Sequence, residues 1–238
     1  MKLEKKTVLV RRHAVITRLT HWINAICLGF LLLSGLQIFN AWPSLYWGQY
    51  GADGDPAFLS IGAFPWWLTL PSFQDLAAGR RWHFFFAWGF AINGAVYLLY
   101  SLLSGHLRRD LVPRRAELSP RHLWHEIVAH ARLRFPKGEE ARRYNVLQKL
   151  SYAGVAVILL PLMVLTGLTM SPGMNAVAPC LLDLFGGRQS ARTIHFITAS
   201  LVVLFVLVHL AMVLLSGVWN NLRSMITGRY AIEESNHD

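Results

Sequence analysis

His195 and His209 close the two ends of the stretch HFITASLVVLFVLVH, which is almost wholly apolar between them. Fourteen helical steps of about 100° fall about 40° short of four turns, so both imidazoles leave nearly the same face, separated by roughly 21 Å of rise. That distance is most of a hydrocarbon core about 30 Å thick. Imidazole is costly in such a setting, and ionisable groups inside a membrane segment are functional candidates. The chemistry open to it is metal ligation: two opposed imidazoles at one depth form an axial cage for a b-type haem. His21 and His83 are the other histidines beside apolar stretches that could complete such cages.

The elements that must position these residues follow from composition. The 238 residues are 54% hydrophobic and only 15% charged, a balance that favours a membrane bundle over a soluble domain. Four stretches are long and apolar enough to span: about Ile16–Phe39, Phe84–Leu103, Leu147–Met170 and Ile194–Gly217. The first exceeds a signal-peptide core and is read as retained. AFLSIGAFPWWLTLP is too short and is broken by Pro65, which suits an interfacial or re-entrant segment. The net charge of +10 is distributed as topology charge. Six Lys/Arg lie at or before Arg18, eleven between Arg108 and Lys149, and two after the fourth stretch, against Arg80, Arg81, Arg188 and Arg192 elsewhere. The positive-inside rule then predicts cytoplasmic termini, a cytoplasmic basic loop over 104–146, and periplasmic loops over 40–81 and 171–191. Attraction to anionic lipid fits this pattern, and nucleic acid is not an expected partner.

On that topology the histidines fall into depth-matched pairs. His21 and His209 lie near the cytoplasmic face, and His83 and His195 near the periplasmic face. The expectation is an all-α integral membrane four-helix bundle, one domain over 1–238, with two haem b stacked across the membrane. His21 and His209 are the axial iron ligands of the cytoplasmic-side haem, His83 and His195 those of the periplasmic-side haem. Each level offers too few ligands for a closed zinc site. The two cysteines, Cys27 and Cys180, include no C-x-x-C-H, so covalent c-type attachment is excluded.

Arg18, Arg80 and Arg192 each precede a ligand histidine by three positions, on the same helical face and one turn nearer water. With Arg81 they are candidates for pairing with haem propionates. Serving as snorkelling anchors at the interface fits them equally. Gly35 and Gly94 share a face with His21 and His83 and would admit a flat macrocycle, although small residues at helix contacts are common without one. Ser119 and Pro120 open an amphipathic segment carrying His122, His125 and His130, with Arg121, Arg132 and Arg134 available to headgroups. HEIVAH is one residue too long for H-E-x-x-H, so a zinc protease is rejected. Solvation is expected for most of the six remaining histidines, His13, His106 and His237 included.

RLTHW in the first span, RRWH at the second, and R-x-x-H with a second histidine fourteen residues on in the fourth resemble the bacterial cytochrome b561 superfamily. Its members include cytochrome b subunits of hydrogenases, formate dehydrogenase gamma subunits and thiosulfate-reductase-type subunits. The resemblance covers all four spans, and the long basic loop and the 46–86 segment look most like the thiosulfate-reductase type. It implies a multi-pass protein of the bacterial inner membrane that relays electrons between the quinone pool and a periplasmic redox subunit, a molybdenum-cofactor enzyme. RYNVLQK is similar to a relative's quinone-lining motif, which makes Asn145 and Gln148 quinone-binding candidates; Asn145 as a helix cap is the competing role. The chain shows no catalytic residues or nucleotide motif of its own, so it reads as an electron-transfer subunit rather than a free-standing enzyme. The alternatives are a stand-alone quinol-oxidising cytochrome that reduces oxygen species and a haem-free scaffold. The outer aromatics Trp42, Tyr46, Trp47, Phe58, Phe64, Trp66, Trp67 and Phe73 weigh against the first and the paired histidines against the second.

Overall fold

A computed structural model of the chain describes residues 6–52, 54–132 and 144–234. Arg134 and His237 lie outside the described residues. The architecture is all-α with little strand, and four helical stretches are long and apolar enough to cross a membrane: Val15–Asn40, Leu76–Leu103, Val146–Thr169 and Arg188–Leu215. In chain order the helices are α1 (Val15–Asn40), α2 (Leu76–Leu103), α3 (Pro120–Ala131), α4 (Val146–Gly154), α5 (Leu160–Thr169), α6 (Pro172–Val177), α7 (Cys180–Leu184), α8 (Arg188–Leu215) and α9 (Val218–Thr227).

Two helices begin before their apolar stretch. α2 starts at Leu76, not Phe84, because Asp75 caps it: its Oδ1 accepts from the Ala78 amide at 2.8 Å. A cap of this kind is worth about 1 kcal/mol, and a helix needs no lipid to run through Arg80 and Arg81. α8 starts at Arg188 behind Gly186 and Gly187, both at positive φ. A Cβ on Gly187 would stand 2.6 Å from the Gly48 backbone, so only glycine fits there. The third stretch is divided between α4 and α5 by a π-helical turn at Val155–Leu159. Pro161 explains it: proline lacks an N–H and crowds the preceding turn, and a wider turn relieves both.

The described residues form two compact units, each containing part of all four long stretches. The first comprises Met1–His21, Val96–Ala156 and Phe205–Asp238. Here β1 (Lys6–Arg11) pairs antiparallel with β4 (Arg229–Glu234), a two-stranded sheet joining the terminal segments. Its Ile232 is buried, and Arg18 donates to the Ile226 carbonyl at the end of α9. Ser119 occupies the N-cap position of α3 with Pro120 following, but its side chain makes no capping bond. Lys149, 8% exposed, is held by both Glu117 oxygens at 2.8 and 2.9 Å.

The second unit comprises Trp22–Ala95 and Val157–Leu204. The segment after α1 is fastened to helix ends by polar side chains. Asn40 exchanges two hydrogen bonds with the Phe64 backbone, Gln37 donates to Phe73, and Ser190 accepts from the Gly48 amide. The segment contains the short hairpin β2 (Ser44–Leu45) and β3 (Leu59–Ser60) and a 3-10 turn at Trp66–Leu68. Trp66, Trp67, Phe73 and Tyr50 are strongly exposed.

Candidate functional site: two histidine pairs

α1 and α8 bring His21 and His209 together in the first unit, and α2 and α8 bring His83 and His195 together in the second. The geometry repeats. Ring centroids are 6.3 Å apart in both pairs, with planes tilted by 59° and 62°. Two imidazoles coordinating one metal from opposite sides, each nitrogen about 2.0 Å from the ion, have ring centres about 6.3 Å apart. Edge-to-face aromatic packing also occurs at such separations. Its appearance twice, between histidines on different helices, suits a shared axial function better. No group of three or more His, Cys, Asp or Glu that could hold a metal ion occurs among the described residues.

The His83–His195 pair has a structured surround. Ser34 Oγ lies 3.1 Å from His83 Nδ1, and Thr166 Oγ1 lies 2.9 Å from His195 Nδ1. Both hydroxyls are fully buried. Gly35 and Gly167 follow them directly, and a Cβ on either would meet Cε1 of the adjacent imidazole, at 3.4 Å from His83 and 3.5 Å from His195. Gly35 thus lies against an imidazole, with ordinary contact distance for a Cβ, while a Cβ at Gly94 would enter open space. Sequence reasoning missed Ser34, Thr166 and Gly167, although SGL in the first stretch and TGL in the third were a visible signal. Around the other pair, Phe205 stacks on His209 at 5.8 Å, and Tyr152 meets it edge-on at 6.3 Å.

The arginines differ in placement. Arg192 donates to the carbonyls of Ser44 and Trp42, fastening the segment after α1 to α8 one turn before His195. Arg80 lies over the Phe84 ring at 5.7 Å, and it and Arg81 are exposed. Arg18 keeps an unused donor: its Nε and the Thr17 hydroxyl are buried without a hydrogen-bond partner among the described residues, one turn from His21. Buried polar atoms of this kind call for a partner, and a propionate would satisfy both.

Asn145 and Gln148 form a capping box at the start of α4. Asn145 Oδ1 accepts from the Gln148 amide at 2.9 Å, and Gln148 Oε1 accepts from the Asn145 amide at 3.3 Å. The spare Asn145 Nδ2 sits 3.1 Å from His130 Nε2. His130 Nδ1 donates to the Glu126 carbonyl at 3.0 Å, so Nε2 is the acceptor for Asn145. Nearby, Tyr144 hydrogen-bonds His13 at 3.3 Å. Burial, then Arg12, pushes the His13 pKa down to about 4, and burial pushes the Tyr144 phenol up. Solvation, the expectation for the lesser histidines, holds for exposed His122 and His125. It fails for His13, for His130 and for His106, which pairs with Asp110 at 2.7 Å. The His13–Tyr144 and His130–Asn145 contacts cross between segments distant in sequence, and no periodicity announces them, whereas His106–Asp110 is a local i, i+4 pair.

Comparison with known proteins settles the lineage. The description prokaryotic cytochrome b561 matches residues 12–228, nearly the whole chain. The chain belongs to the prokaryotic cytochrome b561 family. Membership in the cytochrome b561 family makes this a haem b-binding membrane protein of electron transfer. A similar protein from Azospira oryzae bears the provisional name protein-methionine-sulfoxide reductase subunit YedZ1. It is 32% identical over 211 residues, covering 89% of this chain and 93% of its own length.

Proposed function

We propose that this cytochrome b561 carries two haem b, one between His21 and His209 and one between His83 and His195. We further propose that it relays electrons between the quinone pool and a periplasmic oxidoreductase. The observation that carries the reading is the recurrence of one ring separation, 6.3 Å, at both pairs. Bound haem b supplies one-electron exchange at iron. The chain's residues supply the ligands, the burial and the hydrogen bonds that tune it. Arg18 and Thr17 are suited to hold a propionate beside His21. Arg80, Arg81 and Arg192 are the other candidates, with part of the Arg192 guanidinium already on backbone carbonyls.

The basic residues favour cytoplasmic termini in the inner membrane, with 40–81 and 171–191 on the periplasmic side. Quinone then meets the chain near the cytoplasmic face, where Gln148 Nε2 and the Asn145–His130 contact offer groups for a quinone carbonyl and for proton exchange. The relative's name supports a sulfoxide reductase as partner rather than the thiosulfate-reductase type; a molybdenum-cofactor enzyme remains the kind the family resemblance implies. Two electrons from a quinol, released with two protons, would reduce a methionine sulfoxide to the thioether and water, with two protons consumed there. The exposed outer aromatics favour this over a stand-alone oxidase.

The test is a haem assay and redox titration of the purified chain, with and without a periplasmic methionine-sulfoxide reductase as the candidate partner. Two b-type haems per chain, reduced by quinol and reoxidised only when partner and sulfoxide are present, is the expected result. One haem, or rapid reoxidation by oxygen alone, would count against the relay.

A further inference from the structure

We infer that Ser34 and Thr166 are positioning residues that set the tautomer of the His83–His195 pair and thereby lower the reduction potential of the haem proposed there. The inference rests on the bis-histidine reading above. A hydroxyl has one proton to give, and in both residues it is committed to a carbonyl one turn back. Ser34 Oγ donates to Phe30 at 2.6 Å, and Thr166 Oγ1 to Leu162 at 2.7 Å. What each oxygen turns toward its histidine is a lone pair, at 3.1 Å for His83 Nδ1 and 2.9 Å for His195 Nδ1. Nδ1 must therefore carry the imidazole proton, which leaves the Nε2 lone pair for a metal.

The following glycine completes the arrangement. A Cβ at Gly35 or Gly167 would be in ordinary contact with Cε1, at 3.4 or 3.5 Å, so each glycine lies against the edge of the ring that makes this hydrogen bond. The same hydroxyl–glycine step thus serves both rings, from α1 against α2 and from α5 against α8. Donation from Nδ1 makes the ring a more basic, more electron-rich ligand, which favours the oxidised iron. Both hydroxyls are fully buried, so water does not replace them when they are removed. Removing a hydroxyl takes away the Nδ1 partner and leaves the Nε2 ligand atom in place, so the expected effect is a shifted potential with the haem retained.

The experiment is an optical redox titration, with electron paramagnetic resonance of the oxidised haems, on the full haem-loaded chain. Thr166→Val keeps shape and removes the hydroxyl; Ser34→Ala removes the other; Thr166→Ser is the conservative control. The expected result is that Val and Ala each raise one haem's potential by up to tenfold in its reduction equilibrium, about 59 mV for one electron. The second haem stays unmoved, and Thr166→Ser restores the unsubstituted value. Unchanged potentials in both variants, or a Ser variant shifted as far as Val, overturns the inference. If Val abolishes haem binding, haem retained by Thr166→Ser upholds it and haem lost in both overturns it. Absence of a second haem signal in the unsubstituted chain would sink the pairing itself, an outcome distinct from two haems with unmoved potentials.

Discussion

The proposed ligands can be separated by single substitutions, because His21 faces His209 and His83 faces His195. His21→Ala and His209→Ala are expected to produce one defect, loss or perturbation of the haem next to quinone, with electrons from an external donor still reaching the remaining haem. His83→Ala and His195→Ala are expected to produce the other, cutting off the donor while quinol still reduces the haem that remains. Absorption spectra and redox titrations of the four variants read this directly. A His21 variant that behaved like the His195 variant would break the pairing. Burial at His13 carries its own prediction. Its folded pKa of about 4 lies below the ordinary 6.5, so above pH 6.5 the ring is neutral in both states and the folded state is not disfavoured. As pH falls from 6.5 toward 4 the unfolded chain takes the proton first, and stability is lost by on the order of 3 kcal/mol. Thermal melting in detergent across that window should fall less steeply for His13→Gln than for the unsubstituted protein.

At the scale of elements, the start of α4 combines a cap with the proposed quinone contact, and two substitutions separate them. Asn145→Ala removes the cap oxygen, at a cost of about 1 kcal/mol, together with the donor to His130. Asn145→Asp keeps the oxygen that accepts from Gln148 and replaces the donor to His130 by a carboxylate oxygen. If the amide serves quinone, both variants, and the Asn145→Ala/Gln148→Ala pair, slow haem–quinone exchange with both haem spectra intact, while only the alanine variants lose melting temperature. Exchange at the normal rate in Asn145→Asp would assign Asn145 to capping alone. The segment after α1 is organised in a similar way, by Asn40, Gln37 and Arg192 bonding backbone carbonyls and amides of residues from Trp42 to Phe73. Polar side chains at helix ends thus do two things: they finish a helix and they hold the adjoining segment.

At the scale of the whole molecule, the distribution of charge bears on both orientation and partner. In a Cys180→Ser background, a cysteine introduced at exposed Arg132 is expected to resist an impermeant thiol reagent in intact cells and to react after lysis. Strong labelling before lysis would invert the topology and exchange the faces assigned to quinone and to the oxidoreductase. The exposed Trp66, Trp67 and Phe73 belong to the face proposed for the partner.

Residue order alone determined the four spans, because a hydrocarbon core demands about twenty apolar residues in a helix that satisfies its own backbone. It also marked the four ligand candidates, because imidazole is rare enough in such spans for its spacing to be read, and the charge bias from which an orientation is proposed. Helix limits were less legible: the Asp75 cap begins α2 at Leu76 among residues that hydropathy excludes, and the π-helical turn before Pro161 leaves no mark in an apolar run. The β1–β4 pairing joins the two ends of the chain, so no local pattern could reveal it. Only the tertiary structure decided that Ser34 faces His83 and Thr166 faces His195, and that His130 meets Asn145. The physical reason is common to all three. Helical periodicity says which residues share a face, but the neighbour that face meets depends on the rotation and register of a second helix, which side-chain packing sets.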